Sequence, residues 1–213
     1  MTARFPLVAV YADESCLGNS RERDSPGGAG GLIEYQRGDG TMQRFDFWVS
    51  DRATTNNRMA LQSVIEAFHA LSRKGTHLSV RFTTDSRYIV DGMSDWVHGW
   101  VSRGWARKGG AIENIDLWRR AVDVARDGGH EIEWRWVRGH SGHAQNEYVN
   151  HLATRAAAAQ DRSDGLVPSA FEEWMAERAG SVTKLSAPDP FPLSDGFRPS
   201  RSLPRSAPGR PPA

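Results

Sequence analysis

The stretch that decides the fold is residues 5–19, which reads FPLVAVYADESCLGN. Apolar residues fill both alternating sets of positions from Leu7 to Ala12, and this pattern predicts a central strand buried on both faces. Asp13 and Glu14 follow where that strand should end. Alternation along a strand predicts that the Glu14 side chain points to the face opposite Asp13. Taken alone, an acidic residue here is also explained as the cap of a turn, so later segments have to decide between a turn and a functional site.

The composition is that of a globular protein without a membrane segment. The chain has 213 residues, of which 38% are hydrophobic, and its 27 basic residues nearly balance its 26 acidic ones. Net charge therefore does not predict a nucleic-acid partner. The single cysteine, Cys16, excludes an intrachain disulfide and suggests a reducing compartment. The N-terminus does not resemble a signal peptide and no apolar run reaches about 20 residues, so we expect a cytoplasmic protein with no membrane partner.

The order of predicted elements is that of a mixed α/β sheet. A glycine-rich segment at 19–31 is predicted to be a loop, and a hairpin follows with strands at 32–35 and 44–49. The periodicity then predicts five helices and two strands. The helices are at 54–73, 87–93, 95–101, 115–126 and 146–159, and the fourth and fifth strands are at 78–83 and 132–136. Asp13 and Asp85 end the first and fourth strands, at the edge where open sheets bind ligands.

The C-terminal quarter has a different character. Residues 168–179 predict an amphipathic helix, either docked on the domain or free to bind a protein partner. Residues 181–213 contain eight prolines, five basic and two acidic residues, and this composition predicts a disordered, weakly basic tail. A solubilising role and a contact with nucleic acid are both open for the tail. We thus expect one domain at 1–160, a helical extension at 161–180 and a disordered tail at 181–213.

Five segments, taken in order, resemble type 1 ribonuclease H over about residues 5–160. They are YADESCLGN, TTNNRMALQ, TTDSRYI, the tryptophan-rich residues 95–118, and GHSGHAQNEYVNHLA. The resemblance implies a ribonuclease H-like fold, with a five-stranded mixed sheet of strand order 3-2-1-4-5 flanked by helices. It also implies a monomeric protein that recognises RNA–DNA hybrids and hydrolyses their RNA strand.

The same resemblance implies an active site of four carboxylates around two divalent ions, Mg²⁺ or Mn²⁺. It places them at Asp13, position 60, Asp85 and position 150, but here these two positions hold Ala60 and Asn150. Two of the four carboxylates are therefore replaced, and Asn150 retains a neutral amide oxygen as a weak metal ligand. We expect one ion at most, held by Asp13 and Asp85, and cleavage that is weak or lost. His140 matches the family histidine that assists product release or moves a proton.

The resemblance assigns the contacts with the hybrid to polar and basic side chains. They are Ser15, Cys16, Asn19, Thr55, Asn56, Asn57, Arg87, Arg103, Arg107 and Lys108. The last three belong to residues 95–110, which resemble the basic handle of the family. We expect its tryptophans to pack in the fold and its cations to contact phosphates independently of base sequence.

The replaced carboxylates leave three main functions open. The protein is a weak metal-dependent nuclease, a non-catalytic binder of hybrids or duplexes, or an engineered inactive ribonuclease H in which Ala60 and Asn150 are disabling substitutions. A remoter alternative is a scaffold that works through its C-terminal extension. Restoring glutamate at position 60 and aspartate at position 150 would separate these functions.

Overall fold

The computed structural model describes residues 2–18, 25–178 and 185–205 of the chain. Its centre is a mixed sheet with the strand order β5-β4-β1-β2-β3-β6. The strands are β1 (Leu7–Cys16), β2 (Ser25–Gln36), β3 (Met42–Thr54), β4 (Ser79–Thr84), β5 (Glu131–Trp136) and β6 (Val167–Pro168). β1 pairs antiparallel with β2 and parallel with β4. The predicted order 3-2-1-4-5 is confirmed, with the two-residue β6 added beside β3.

Six α-helices surround this sheet in the described part of the chain. They are α1 (Asn56–Ser72), α2 (Arg87–Asp91), α3 (Val97–Ser102), α4 (Ile115–Asp127), α5 (Ala144–Ala159) and α6 (Phe171–Arg178). A π-helical turn, Gly92–Trp96, joins α2 to α3, and a 3₁₀ turn lies at Ser194–Gly196. Over the residues described, no helix combines the length and apolar character needed to cross a membrane. The cytoplasmic location stays a prediction.

β1 is buried on both faces, as its sequence predicts. Val8 and Val10 belong to a core shared with α1 and α4, whereas Ala9 and Tyr11 face a second core shared with α5 and α6. Since each face is covered by helices, the strand ends deep in the molecule. The residues that follow its buried part are therefore held by rigid packing rather than by a loose loop.

Residues 25–31 of the glycine-rich segment belong to a strand and not to the predicted loop, and residues 19–24 lie outside the described residues. β2 starts at Ser25, and Gly28 and Gly30 within it lie directly under α5. A Cβ atom on Gly28 would come within 2.2 Å of the Ala153 carbonyl oxygen, and one on Gly30 within 2.7 Å of the Val149 carbonyl oxygen. These residues lack side chains because the helix backbone packs against the strand there, which also removes the hydrophobic alternation that predicts a strand.

The segment after α5 docks on the domain. Phe171 and Trp174 of α6 are buried, and each ring centroid lies 5.2 Å from that of Tyr148. Asp46 accepts hydrogen bonds from the Tyr148 hydroxyl and the Ala170 backbone amide. Of the two alternatives for this helix, the structure therefore favours docking, since its apolar face is already covered.

Residues 185–205 lie along the fold, in contrast to the disordered tail that their composition predicts. Phe197 is buried, and the Ser200 amide donates to the Ile132 carbonyl oxygen at 2.8 Å. The Gln145 side chain donates to the Asp189 carbonyl oxygen and accepts from its amide, both at 3.0 Å. A few apolar anchors and pairing with existing groups thus order a segment that has no core of its own. Residues 161–178 and 185–205, together called the C-terminal extension from here on, also contact both edge strands. β6 pairs with Phe45 and Asp46 of β3, and the Ser200 amide donates to Ile132 of β5.

Candidate active site

Three acidic side chains meet at the carboxyl ends of β1 and β4. Carboxylate oxygens of Asp13, Glu14 and Asp85 all lie within 4.8 Å of one another. Asp13 and Glu14 are still paired with β2, but the parallel pairing of β1 with β4 ends at Tyr11, opposite Thr83. Asp85 follows the end of β4. The two strand ends therefore open just where the three acids are, and the predicted approach of Asp13 and Asp85 follows from the parallel pairing.

The prediction that Glu14 points away from Asp13 is wrong. The Asp13 side chain bends toward the next residue, and its Oδ1 accepts a hydrogen bond from the Glu14 amide at 2.7 Å. Alternation of side chains holds along a regular strand, but at this strand end a curled aspartate and a longer glutamate reach the same space. Glu14 therefore supplies a third carboxylate that the sequence reasoning left out.

The cluster is costly to ionise without a cation. Burial and the neighbouring Asp85 carboxylate raise the pKa of Asp13 to about 8. Burial, followed by the charges of Asp13 and Asp85, raises the pKa of Glu14 well above its ordinary value. Burial also raises the pKa of Asp85, although nearby His140 lowers it. Such shifts are what like charges in a water-poor site produce.

Two amides on α5 complete the surroundings of Asp13. The buried Asn146 Nδ2 donates to Asp13 Oδ2 at 3.3 Å. The half-buried Asn150 lies near enough to hydrogen-bond the Asp13 carboxyl and lowers its pKa. Ala60, at the other replaced position, is buried in the core formed with α1. Asn150 is thus brought to the cluster, whereas the Ala60 side chain offers no ligand atom.

The loop from 137 to 143 closes one side of the cluster. A Cβ atom on Gly139 would lie 1.9 Å from Asp85 Oδ2, so a residue without a side chain lets the loop backbone approach the carboxylate. His140 follows with a left-handed backbone, at φ 50°, and an exposed ring. Its position beside an acid and open to solvent suits a residue that exchanges protons or contacts a charged product.

The acidic cluster fits a divalent cation. Glu14 Oε2 is buried and, within the described residues, has no hydrogen-bond partner. A buried carboxylate oxygen without a partner is expensive, and a bound cation would remove that cost. Carboxylate and amide oxygens are also the ligands that Mg²⁺ and Mn²⁺ prefer.

The residues predicted to contact the hybrid lie on different elements. Ser15 and Cys16 end β1, and Asn56 and Asn57 begin α1 with exposed side chains. Thr55 caps α1, since its hydroxyl oxygen accepts from the Arg58 amide at 3.4 Å. Asn19 lies outside the described residues.

Arg87 is connected to the acidic cluster through an aromatic ring. Its guanidinium lies over the Trp136 ring, 4.0 Å from the centroid. The Trp136 indole nitrogen in turn donates to the Asp85 carbonyl oxygen at 2.9 Å. An exposed cation is thus held next to the site, where it is able to contact a phosphate.

In the predicted basic handle, the tryptophans pack in the fold and the cations are exposed. Trp100 and Trp118 are buried with centroids 5.4 Å apart, and the Trp118 indole donates to the Tyr88 hydroxyl at 2.7 Å. Arg103, Arg107 and Lys108 are exposed. His98 in the same segment is buried.

A cleft lies at the end of the sheet opposite the acidic cluster. Its volume is about 600 Å³, and Phe5, His77 and Glu131, which precede or begin β1, β4 and β5, line it together with the extension. Because the acids lie at the other ends of the same strands, this cleft is separate from the acidic cluster.

The mixed sheet and the acidic cluster at its edge indicate one class of protein, and comparisons with known proteins identify the family. The model of the RNase H family matches residues 6–158. The chain belongs to the ribonuclease H family. A ribonuclease H from Rhodospirillum rubrum is 43% identical over 163 residues, covering 74% of this chain and 89% of that protein.

A solved relative matches over almost the full length. The crystal structure of LC9-RNase H1, described as a type 1 RNase H with the type 2 active-site motif, is 62% identical. It covers 98% of both chains with a TM-score of 0.89. LC11-RNase H1, solved in complex with an RNA/DNA hybrid, shares the fold at 17% identity, with a TM-score of 0.52 over 72% of this chain and 98% of that one.

Sequence reasoning missed three residues around Asp13: Glu14, Asn146 and His143. The Glu14 carboxylate was visible as an adjacent acid, but the alternation rule excluded it. His143 caps α5, its Nδ1 accepting from the Asn146 amide at 3.2 Å. A polar residue just before a helix was the available signal for that cap.

Proposed function

We propose that the protein is a divalent-metal-dependent endonuclease that hydrolyses the RNA strand of RNA–DNA hybrids. The observation that carries this proposal is the group of carboxylates from Asp13, Glu14 and Asp85 within 4.8 Å of one another. Glu14 takes the place of the glutamate that position 60 lacks. The 62% identical relative described as having the type 2 active-site motif supports a working site whose acids differ from the type 1 pattern.

Each residue at the site has a distinct task in this proposal. A divalent cation, when bound, supplies Lewis-acid chemistry at the phosphate and lowers the pKa of water. Asp13, Glu14 and Asp85 provide its oxygen ligands, and Asn150 adds a neutral amide oxygen. His140, at the exposed rim beside Asp85, moves a proton or helps the cleaved strand to leave.

The charge of the cluster favours one tightly bound ion. Three ionised carboxylates carry a formal charge of −3, which exceeds the charge of one divalent cation and is less than that of two. The raised pKa of Asp13 means that a bound cation has to displace a proton. We therefore keep one Mg²⁺ or Mn²⁺ ion as the proposed cofactor.

We propose that polar and basic side chains around the acids bind the hybrid. Two of these residues, Ser15 and Cys16, end β1, and two more, Asn56 and Asn57, begin α1. The exposed Arg87 lies beside Asp85. Polar groups and cations of this kind read the shape and the 2′-hydroxyls of a duplex rather than its bases. The hybrid-bound structure of LC11-RNase H1, which shares the fold, supports this choice of substrate.

The proposal is tested with a labelled RNA–DNA hybrid. Mg²⁺ and then Mn²⁺ are titrated into the protein while binding and RNA-strand cleavage are measured together. We expect cleavage of the hybrid, none of the matched DNA duplex, and its loss in Asp13→Asn. Binding of the hybrid with no cleavage at any metal concentration would instead make the protein a non-catalytic reader of hybrids.

A further inference from the structure

The C-terminal extension holds the loop and helix that surround the acidic cluster. The Ser186 amide and hydroxyl both donate to the Gly142 carbonyl oxygen, at 2.8 and 3.0 Å. Three residues later, the backbone of Asp189 pairs twice with the fully buried Gln145 side chain. These contacts fix residues 142–145, which span the end of the His140 loop and the start of α5.

Asp189 also presents its carboxylate to His143. Asp189 Oδ2 lies 3.1 Å from His143 Nε2, which is a salt-bridge distance, although the two atoms do not have the geometry of a hydrogen bond. The other ring nitrogen, Nδ1, accepts the Asn146 amide hydrogen, so a neutral ring carries its proton on Nε2, next to the carboxylate. The Asp189 carboxylate therefore lies at the edge of the ring opposite the nitrogen that caps the helix.

The contacts continue from His143 to the acids. The cap sets the first turn of α5, in which the buried Asn146 donates its side-chain amide to Asp13 Oδ2. Leu185 and Phe191, on either side of Asp189, pack against the core that contains Tyr11 and Ala144. The extension is thus anchored by apolar contacts while one carboxylate acts on the residues next to the cluster.

We propose that residues 185–191 of the C-terminal extension position the active site, with Asp189 acting through His143 and Asn146 on Asp13. This inference rests on the proposed function for its catalytic readout. It makes Asp189 a positioning residue, since its side chain contacts His143 and not the acids. Partners that hydrogen-bond a metal ligand commonly change metal affinity or activity by 10- to 100-fold when they are replaced, and Asp189, which acts on Asp13 through two intervening residues, should lie at the lower end of that range.

The first test compares Asp189→Asn with the wild-type protein in three measurements. We expect kcat on a labelled hybrid to fall about tenfold, the Mg²⁺ midpoint to rise several-fold, and KM for the hybrid to stay within about twofold. The melting temperature without metal should change by less than about 2 °C, because the backbone pairing with Gln145 is retained. The matched control is Asp195→Asn, an exposed aspartate of the same extension, which should leave all these values unchanged.

A second variant tests the route through His143. Asn is a good helix N-cap, so His143→Asn should keep α5 while removing the partner of Asp189. Adding Asp189→Asn to that variant should then lower kcat by less than about twofold, because residues that act through one another are not additive. A full tenfold further loss in the double variant would overturn the route.

The outcomes separate this inference from the proposed function. If the wild-type protein cleaves hybrids and Asp189→Asn matches it in kcat and Mg²⁺ midpoint, the positioning role is wrong and the nuclease function stands. If the wild-type protein does not cleave, the function fails, and the rise in melting temperature with Mn²⁺ becomes the readout. That rise should be smaller in Asp189→Asn than in wild type, and equal rises would overturn the positioning role.

Discussion

Replacing Glu14 by glutamine is the most direct test of the three-carboxylate site. The change keeps the size of the side chain and one oxygen ligand but removes the charge. At a coordination distance of about 2.1 Å and an effective dielectric of 20, the attraction between a carboxylate and a divalent ion is about 16 kcal/mol. This is a gross figure, and two effects oppose it.

The first opposing effect is repulsion within the cluster. Carboxylates at the 4.8 Å limit of their separation repel one another by about 3.5 kcal/mol per pair on the same scale. Removing Glu14 relieves its repulsion with Asp13 and with Asp85. The second is the lost hydration of the charges, which cancels most of what is left, together with the neutral oxygen that glutamine retains. We expect a net loss of about 3 kcal/mol in metal binding, or roughly 100-fold.

The assay is single-turnover cleavage of a labelled hybrid at increasing Mg²⁺. Glu14→Gln should shift the Mg²⁺ midpoint about 100-fold or abolish cleavage, while hybrid binding in EDTA stays within about twofold. The control is Glu66→Gln on α1, which removes the same charge from an ion pair with Arg162 at 3.5 Å and should leave the midpoint unchanged. Wild-type cleavage by Glu14→Gln, together with a large gain on Asn150→Asp, would refute the reasoning and support an eroded two-carboxylate site.

Three further predictions concern stability and binding. The pKa of folded Asp13 is about 8, against an ordinary 3.8, so stability without metal is lost as pH rises through this range, at up to about 1.4 kcal/mol per pH unit. In EDTA, Asp13→Asn should therefore melt roughly 10–20 °C above wild type at pH 8, at about 2–4 °C per kcal/mol, and close to it at pH 4. Equal pH profiles would contradict the shift. Gly30→Ala should destabilise by about 2 kcal/mol, since its Cβ would press on the α5 backbone, whereas Gly38→Ala, with open space around it, should stay within about 0.5 kcal/mol in urea unfolding. Replacing Arg107 and Lys108 by alanine should weaken hybrid binding without changing the melting temperature. The slope of log affinity against log salt should fall by about one to two counterions. An unchanged slope would exclude the two residues as phosphate contacts.

The strongest parts of the fold could be predicted because local pattern and tertiary packing agree there. Alternation in β1 and helical spacing in α1 and α5 reflect burial directly, so the order of elements along the chain and the placing of Asp13 and Asp85 at strand ends could be predicted from them. The strand order 3-2-1-4-5 came from the resemblance. Glycines leave no such pattern, and the close packing of α5 on Gly28 became visible only in three dimensions. The same holds for the extension, which is ordered by partners far away in sequence.

Glu14 illustrates the limit for the site itself. Period-two alternation fixes the direction of each Cα–Cβ bond, but β1 loses its β4 partner after Tyr11, where the carboxylates of Asp13 and Glu14 come close together. Beyond that point the direction of a side chain depends on local hydrogen bonds such as the one from the Glu14 amide to Asp13. A resemblance that assigned the missing glutamate to position 60 gave no reason to look at the neighbour of the first aspartate.

The coverage of both sheet edges by one segment has a consequence for how the protein behaves at high concentration. Free edge strands offer unpaired amides and carbonyls to other chains and so invite self-association. Here β6 of the extension pairs with the edge strand β3, and Ser200 of the extension hydrogen-bonds the edge strand β5. A chain cut back to residue 160 would keep its acids and lose both of these edge contacts, so we expect it to self-associate more readily than the full chain.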